Sequence, residues 1–170
     1  MNKQALQNQY GFFKLVHGVT LRLIGVFSDE DLSYRPRPEM RSVHELILHM
    51  YGMMRIFSEA MHQGKLTAEM EYQVLHKFGR DNESVSGLKT ITEVQDFARE
   101  SFKIINEALA GMTNEKLLKL LGSPFGTFPM WQYFIFCYLE HWHHRGQLYT
   151  YARLVGKEPP YLFDYENSPA

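Results

Sequence analysis

Residues 128–155, FPMWQYFIFCYLEHWHHRGQLYTYARLV, decide how this chain folds. The stretch is apolar almost throughout, and its length predicts one long helix. Pro129 is tolerated in its first turn and Gly156 ends it. Three of the chain's eight histidines, His141, His143 and His144, fall inside it. Each residue of an ideal helix advances by about 100°. With Cys137 as origin, Met130, Phe134, His141, His144, Leu148, Ala152 and Val155 then share one stripe within roughly 60° of one another or of that origin. The inward face so defined carries two histidines three positions apart, near enough on a helix to grip one ion. Glu140 and His144 make a second such pair at the four-residue spacing that sets two histidines on zinc in HExxH helices. His143 points away from the stripe, toward solvent or a supporting role. A buried imidazole costs free energy unless something satisfies it, and a metal ion held between two helices would do so.

The helical pattern extends outward from this segment. A first helix is expected from about Ala5 to Phe27, with Phe13, Val16, Thr20, Leu23 and Phe27 on its inner face. Pro36 and Pro38 bar its continuation. Ser42 caps a second helix with Glu45 as its capping-box partner; the helix carries Leu46, His49, Met50, Met53, Met54 and Phe57 on one face and ends near Gly64. Residues 65–89 are irregular, with a short helix expected over Glu69–Phe78. A third helix starts at Thr90 or Thr92, buries Val94, Phe97, Phe102, Ile105, Ala108 and Leu109, and ends at Gly111. A turn-rich connection, residues 122–129, leads into the fourth. The expectation is an all-α fold: a four-helix bundle with a long connection between helices 2 and 3, as one domain over residues 1–170.

The composition narrows the function. A formal net charge of −1 and the lack of a lysine-arginine run argue against nucleic acid. Glu140, the histidines and Arg145 rule out the greasiest segment as a membrane span. The single cysteine, Cys137, excludes an internal disulfide and a cysteine-rich zinc site, and it reads as a small buried hydrophobe. With no signal-peptide pattern at the N-terminus, a cytoplasmic protein is expected.

His49 stands between Leu46 and Met53 where the stripe calls for a leucine, and so supplies the other half of a metal site. Neutral imidazole suits zinc, nickel, iron or copper, and the addition of Glu140 gives a two-histidine, one-carboxylate set with open positions. A lone histidine on an apolar face is more often a core residue bonded to a carbonyl or carboxylate. A histidine cluster also suits a helix end, but here the helix runs on past it. His17, His62 and His76 have no partner spacing and read as surface residues, while His44 falls on a different face from His49.

These residues resemble the DinB/YfiT-like family of small bacterial four-helix proteins. The matching pieces are Leu32-Ser-Tyr-Arg-Pro36, Ser42-Val-His-Glu-Leu-Ile-Leu-His49, Gly126-Thr-Phe-Pro-Met-Trp131, His143-His-Arg-Gly-Gln147 and Arg153-Leu-Val-Gly156, with Pro159-Pro160 after them. The resemblance implies a bundle with a metal site, zinc or nickel, made by one histidine from the second helix and two from the fourth. His49 and His144 match the motif as ligands. The third family position is Glu140 here, and His141 lies one residue out of register, about 100° away. Register favours Glu140, whereas stripe and imidazole chemistry favour His141; both stay open. The resemblance further implies a metal-dependent thiol S-transferase or hydrolase acting on a small molecule, with a low-molecular-weight thiol as cosubstrate, working as a homodimer. Arg145 and Gln147 would orient the ligand shell or bind an anionic group, with a structural ion pair as the other role open to Arg145. The alternative is a non-catalytic, stress-associated dimeric bundle or small-molecule binder with a structural or vestigial ion.

Overall fold

Helix boundaries in the computed structural model, which describes residues 1–72 and 88–168, follow local capping chemistry. Helix α1 spans Lys3–Ile24, with Asn2 accepting from the Ala5 amide at its start. Helix α2 spans Val43–Gln63 between the Ser42–Glu45 capping box and Gly64, whose φ of 78° closes the last turn. Such caps contribute about 1 kcal/mol each. Arg35 strengthens this one by gripping both oxygens of Glu45, at 2.6 and 2.7 Å. The register of α2, and with it the position of His49, is thereby fixed from two turns away.

Helix α3 is the short Ala68–Tyr72, and the rest of the helix expected over Glu69–Phe78 lies outside the described residues, as does His76. Helix α4 spans Ile91–Ala110 from a Thr90–Glu93 capping box, so Thr90 rather than Thr92 starts it. Helix α5, Asn114–Leu118, precedes a hairpin of β1, Leu120–Ser123, and β2, Gly126–Pro129. Helix α6, Met130–Leu154, runs directly out of the hairpin.

The four long helices form a square in which α1 and α2 each pack against both α4 and α6. Helix α6 therefore faces two neighbours, and buried residues such as Tyr133, Phe134, Cys137, Leu148 and Tyr151 surround it on more than one side. The all-α bundle expected from the sequence is what forms. Within the described residues, no helix is long and apolar enough to cross a membrane.

Two features depart from the expectations. The turn-rich connection is an antiparallel hairpin, with Leu121 opposite Phe128 and Ser123 opposite Gly126. Leu121 enters the core, and its carbonyl accepts from the Tyr133 hydroxyl at 2.9 Å. His17, expected at the surface, is 2% exposed: its Nδ1 lies 2.8 Å from the Tyr51 hydroxyl and its ring stacks on Phe102. Burial and the nearby Arg99 charge lower its pKa to about 3.

A pH dependence follows from His17. An unfolded histidine takes its proton near pH 6.5, whereas the folded His17 resists it down to about 3. Between those values the unfolded chain binds more protons, so stability is complete above about pH 6.5 and falls as the pH drops toward 3. Urea midpoints at pH 7 and pH 5 should show this decline, and His17→Phe should flatten it.

The C-terminal segment crosses α1 where Gly18 lies. A Cβ there would meet the Ser168 carbonyl oxygen at 2.1 Å, and Ser168 is buried. Gly18→Ala should force the tail outward at a cost of about 1–3 kcal/mol. Differential scanning calorimetry would register the loss, and chymotrypsin would cut faster at Tyr161 and Phe163.

Candidate metal centre

Helix α6 presents Glu140 and His144 toward α2 and His141 toward α1. The 100° between adjacent residues sends 140 and 141 to different neighbours. His49 of α2 faces the first pair: its ring centroid is 4.8 Å from that of His144, with the planes at 83°. Glu140 Oε2 lies 3.1 Å from His144 Nε2 and 3.8 Å from His49 Nε2. One ligand atom from each of His49, Glu140 and His144 can be chosen so that all three lie within 4.8 Å of one another. A single divalent ion with bonds of about 2.0–2.2 Å can bridge atoms at that spacing after small side-chain adjustments.

The donor set fits an ion on chemical grounds as well. The His144 ring nitrogen at 3.1 Å and then that of His49 at 3.8 Å hold the Glu140 carboxyl well below the usual carboxylate range, against the opposing effect of burial. Burial is the main cause that lowers the pKa of His49. An anionic oxygen therefore stands beside a neutral imidazole. His49 is 6% exposed; its Nδ1 makes no hydrogen bond and its Nε2 has only the carboxylate at 3.8 Å. The cost of burying such a group is unmet by the described protein groups around it.

His144 is held from behind. Its Nδ1 lies 2.8 Å from Gln147 Oε1, an acceptor, so Nδ1 donates there and Nε2 is the nitrogen turned to the triad. The amide nitrogen of Gln147 then points to Nε2 of the exposed His143 at 3.3 Å.

His141 is not part of this group. It is fully buried, and its Nε2 lies 2.9 Å from the Thr20 hydroxyl. That hydroxyl gives its one proton to the Val16 carbonyl, so it accepts from His141. Arg145 also goes elsewhere. Its Nη2 donates to the Leu162 carbonyl at 2.8 Å, and its guanidinium lies 5.0 Å from the Trp142 ring and 5.1 Å from that of Tyr149. The Leu162 contact ties the C-terminal tail to α6, and among the described residues no carboxylate pairs with the guanidinium. Cys137 is fully buried, and burial pushes its thiol far above the usual range, so it is unsuited to act as a nucleophile.

A cavity of about 410 Å³ opens beside the triad, with His49 and Glu140 on its wall among Met53, Phe57, Phe125, Phe136 and Leu139. Helical spacing alone puts Met53 and Phe57 on the inner face of α2 but does not single out Phe125, Phe136 or Leu139 as wall residues. The signal it lacked was the hairpin, which carries Phe125 to this place.

Fold and site together define a helical-bundle protein with a candidate two-histidine, one-carboxylate metal centre between two of its helices. The chain belongs to the DinB family, whose model matches residues 1–168. Among solved structures it is similar to a DinB-like protein of Bacillus subtilis, at 19% identity and a TM-score of 0.66, over 90% of this chain and 96% of that one. A DinB-like protein of Bacillus cereus is similar at 18% identity and a TM-score of 0.65, over 89% and 92%. No curated protein matches the sequence.

Proposed function

We propose that the chain is a metal-dependent enzyme that binds one divalent ion, zinc or nickel, through His49, Glu140 and His144 and acts on a small molecule as a thiol S-transferase or a hydrolase. The observation that carries this reading is the buried His49, lacking any hydrogen bond among the described residues, aimed at an ionised carboxylate and a second imidazole. A divalent ion in that position supplies Lewis acidity and lowers the pKa of a bound thiol or water. Gln147 holds the His144 ring so that Nε2 faces inward, the nitrogen that would bind the ion. Glu140 brings a negative charge, which reduces the net charge of the centre relative to an all-histidine site. A substrate seated in the apolar cavity would displace water from the reacting face. A cytoplasmic location, a homodimer and a low-molecular-weight thiol as cosubstrate complete the proposal on the strength of the family resemblance alone.

The test is conjugation of a thiol to a model electrophile, and hydrolysis of model esters and amides, by metal-loaded protein. Turnover that requires the ion and disappears in His49→Ala supports the proposal. Bound ion without turnover in either assay favours a second reading, a binding bundle with a structural ion. The direct 3.1 Å contact between Glu140 and His144, by which the pair partly satisfies itself, is the observation on that side.

A further inference from the structure

The walls of the cavity restrict what can enter it. Apart from His49 and Glu140, its lining among the described residues is Met53, Phe57, Phe125, Phe136 and Leu139, with no lysine, arginine, hydroxyl or amide side chain among them. In the metal-free protein a carboxylate, sulfonate or phosphate inside would find no cation among these lining residues, and would meet the negative charge of Glu140. Burying an unpaired charge in such surroundings is strongly unfavourable.

The mouth is built to stay apolar. Phe125 and Leu139 remain 47% and 54% exposed, although each could bury apolar area only by covering something. The hairpin holds Phe125 there. Gly126 takes a φ of 141°, and a Cβ on it would touch the Phe128 ring at 2.9 Å. The Phe125 ring in turn lies 6.0 Å from that of Phe128 and 6.2 Å from that of Phe136. The result is an aromatic wall that ends at the two triad residues.

We infer that this cavity is the binding site for a neutral organic molecule with an aromatic or branched aliphatic body, seated against Phe125, Phe136 and Leu139 with its polar end turned to the triad. The volume suits a compact small molecule. The inference rests on the proposed function for what the bound molecule is for. It also deepens that reading, since an anionic thiol cosubstrate gains nothing from these walls and the apolar partner is the one that occupies them.

Fluorescence titration with N-phenyl-1-naphthylamine, a neutral probe, tests the site directly. Saturable binding is expected. Phe125→Ala and Leu139→Asp should each weaken it on the order of ten-fold, with melting temperatures unchanged because both side chains are exposed. Leu15→Asp, at another exposed apolar side chain on α1, should leave it unaltered. The same ring system bearing a sulfonate, 1-anilinonaphthalene-8-sulfonate, should bind the metal-free protein at least ten-fold more weakly. His144→Ala, which removes the proposed metal ligand, should keep the neutral probe, so a failure of the metal reading does not imitate a failure here. Absence of saturable binding, loss with Leu15→Asp equal to that with Phe125→Ala, tighter binding of the sulfonate, or a probe lost in His144→Ala but kept in Phe125→Ala would each overturn the inference.

Discussion

His144→Ala protein, purified and equilibrated with zinc or nickel, should retain less than a tenth of the ion held by the wild type. The substitution removes one of three donors and frees Gln147, whose carbonyl lies 2.8 Å from His144 Nδ1. Even loss of such an outer partner alone costs roughly 10–100-fold in affinity, so loss of the ligand itself should exceed that. Gln147→Ala should give the intermediate effect. His141→Ala should leave metal content unchanged, because its ring turns toward Thr20 and α1. Isothermal titration calorimetry on these three variants and on Glu140→Ala separates the outcomes. A large loss in His141→Ala with retention in Glu140→Ala would reverse the ligand assignment.

Arg145→Ala should be the most damaging single substitution for stability. The side chain is 1% exposed, lies beside two aromatic rings and donates to the Leu162 carbonyl that anchors the tail. Truncation leaves a large cavity and an unpaired carbonyl, for a cost of about 3 kcal/mol. At about 2–4 °C per kcal/mol for a chain of this size, the melting temperature should fall by about 6–12 °C. Its Nε and Nη1 have no hydrogen-bond partner among the described residues, so the buried guanidinium is incompletely satisfied by them. Arg145→Met keeps most of the volume without that charge, and should lose less than half as much. Both variants should still bind the ion. If Arg145→Met instead melts normally but loses turnover, the guanidinium acts in the reaction, as the motif reading allowed.

The long helices were legible because their signals are local. Ser42 with Glu45, Thr90 with Glu93, Gly64 and Pro129 mark ends through neighbours three or four residues away. The hairpin was not legible in the same way. Its strands have four residues each, too short for an alternation to stand out, and they are held by distant groups such as Tyr133. His17 lay within reach of a better reading, since it follows Phe13 by four and Val16 by one on the buried face. Its partners Tyr51 and Phe102, however, come from α2 and α4, and spacing along one helix cannot reveal them.

The candidate ligands fall between these cases. His49 and His144 were found from stripe position and motif together. The choice between Glu140 and His141 could not be made from a helical wheel, because both lie near the inward face. It depends on α6 having two neighbours: residue 140 meets α2, where His49 waits, and residue 141 meets α1. Arg145 illustrates the opposite limit. Its place in the motif suggested chemistry, while the carbonyl that accepts from it, Leu162, lies in a tail segment 17 residues further on.

The most direct test is a crystal structure of metal-loaded protein with anomalous scattering recorded at the absorption edge of the added ion. The account predicts one strong peak between α2 and α6, about 2.0–2.2 Å from a nitrogen of His49, a nitrogen of His144 and an oxygen of Glu140. A map with no peak there, or with the ion bound to His141 instead, would contradict it.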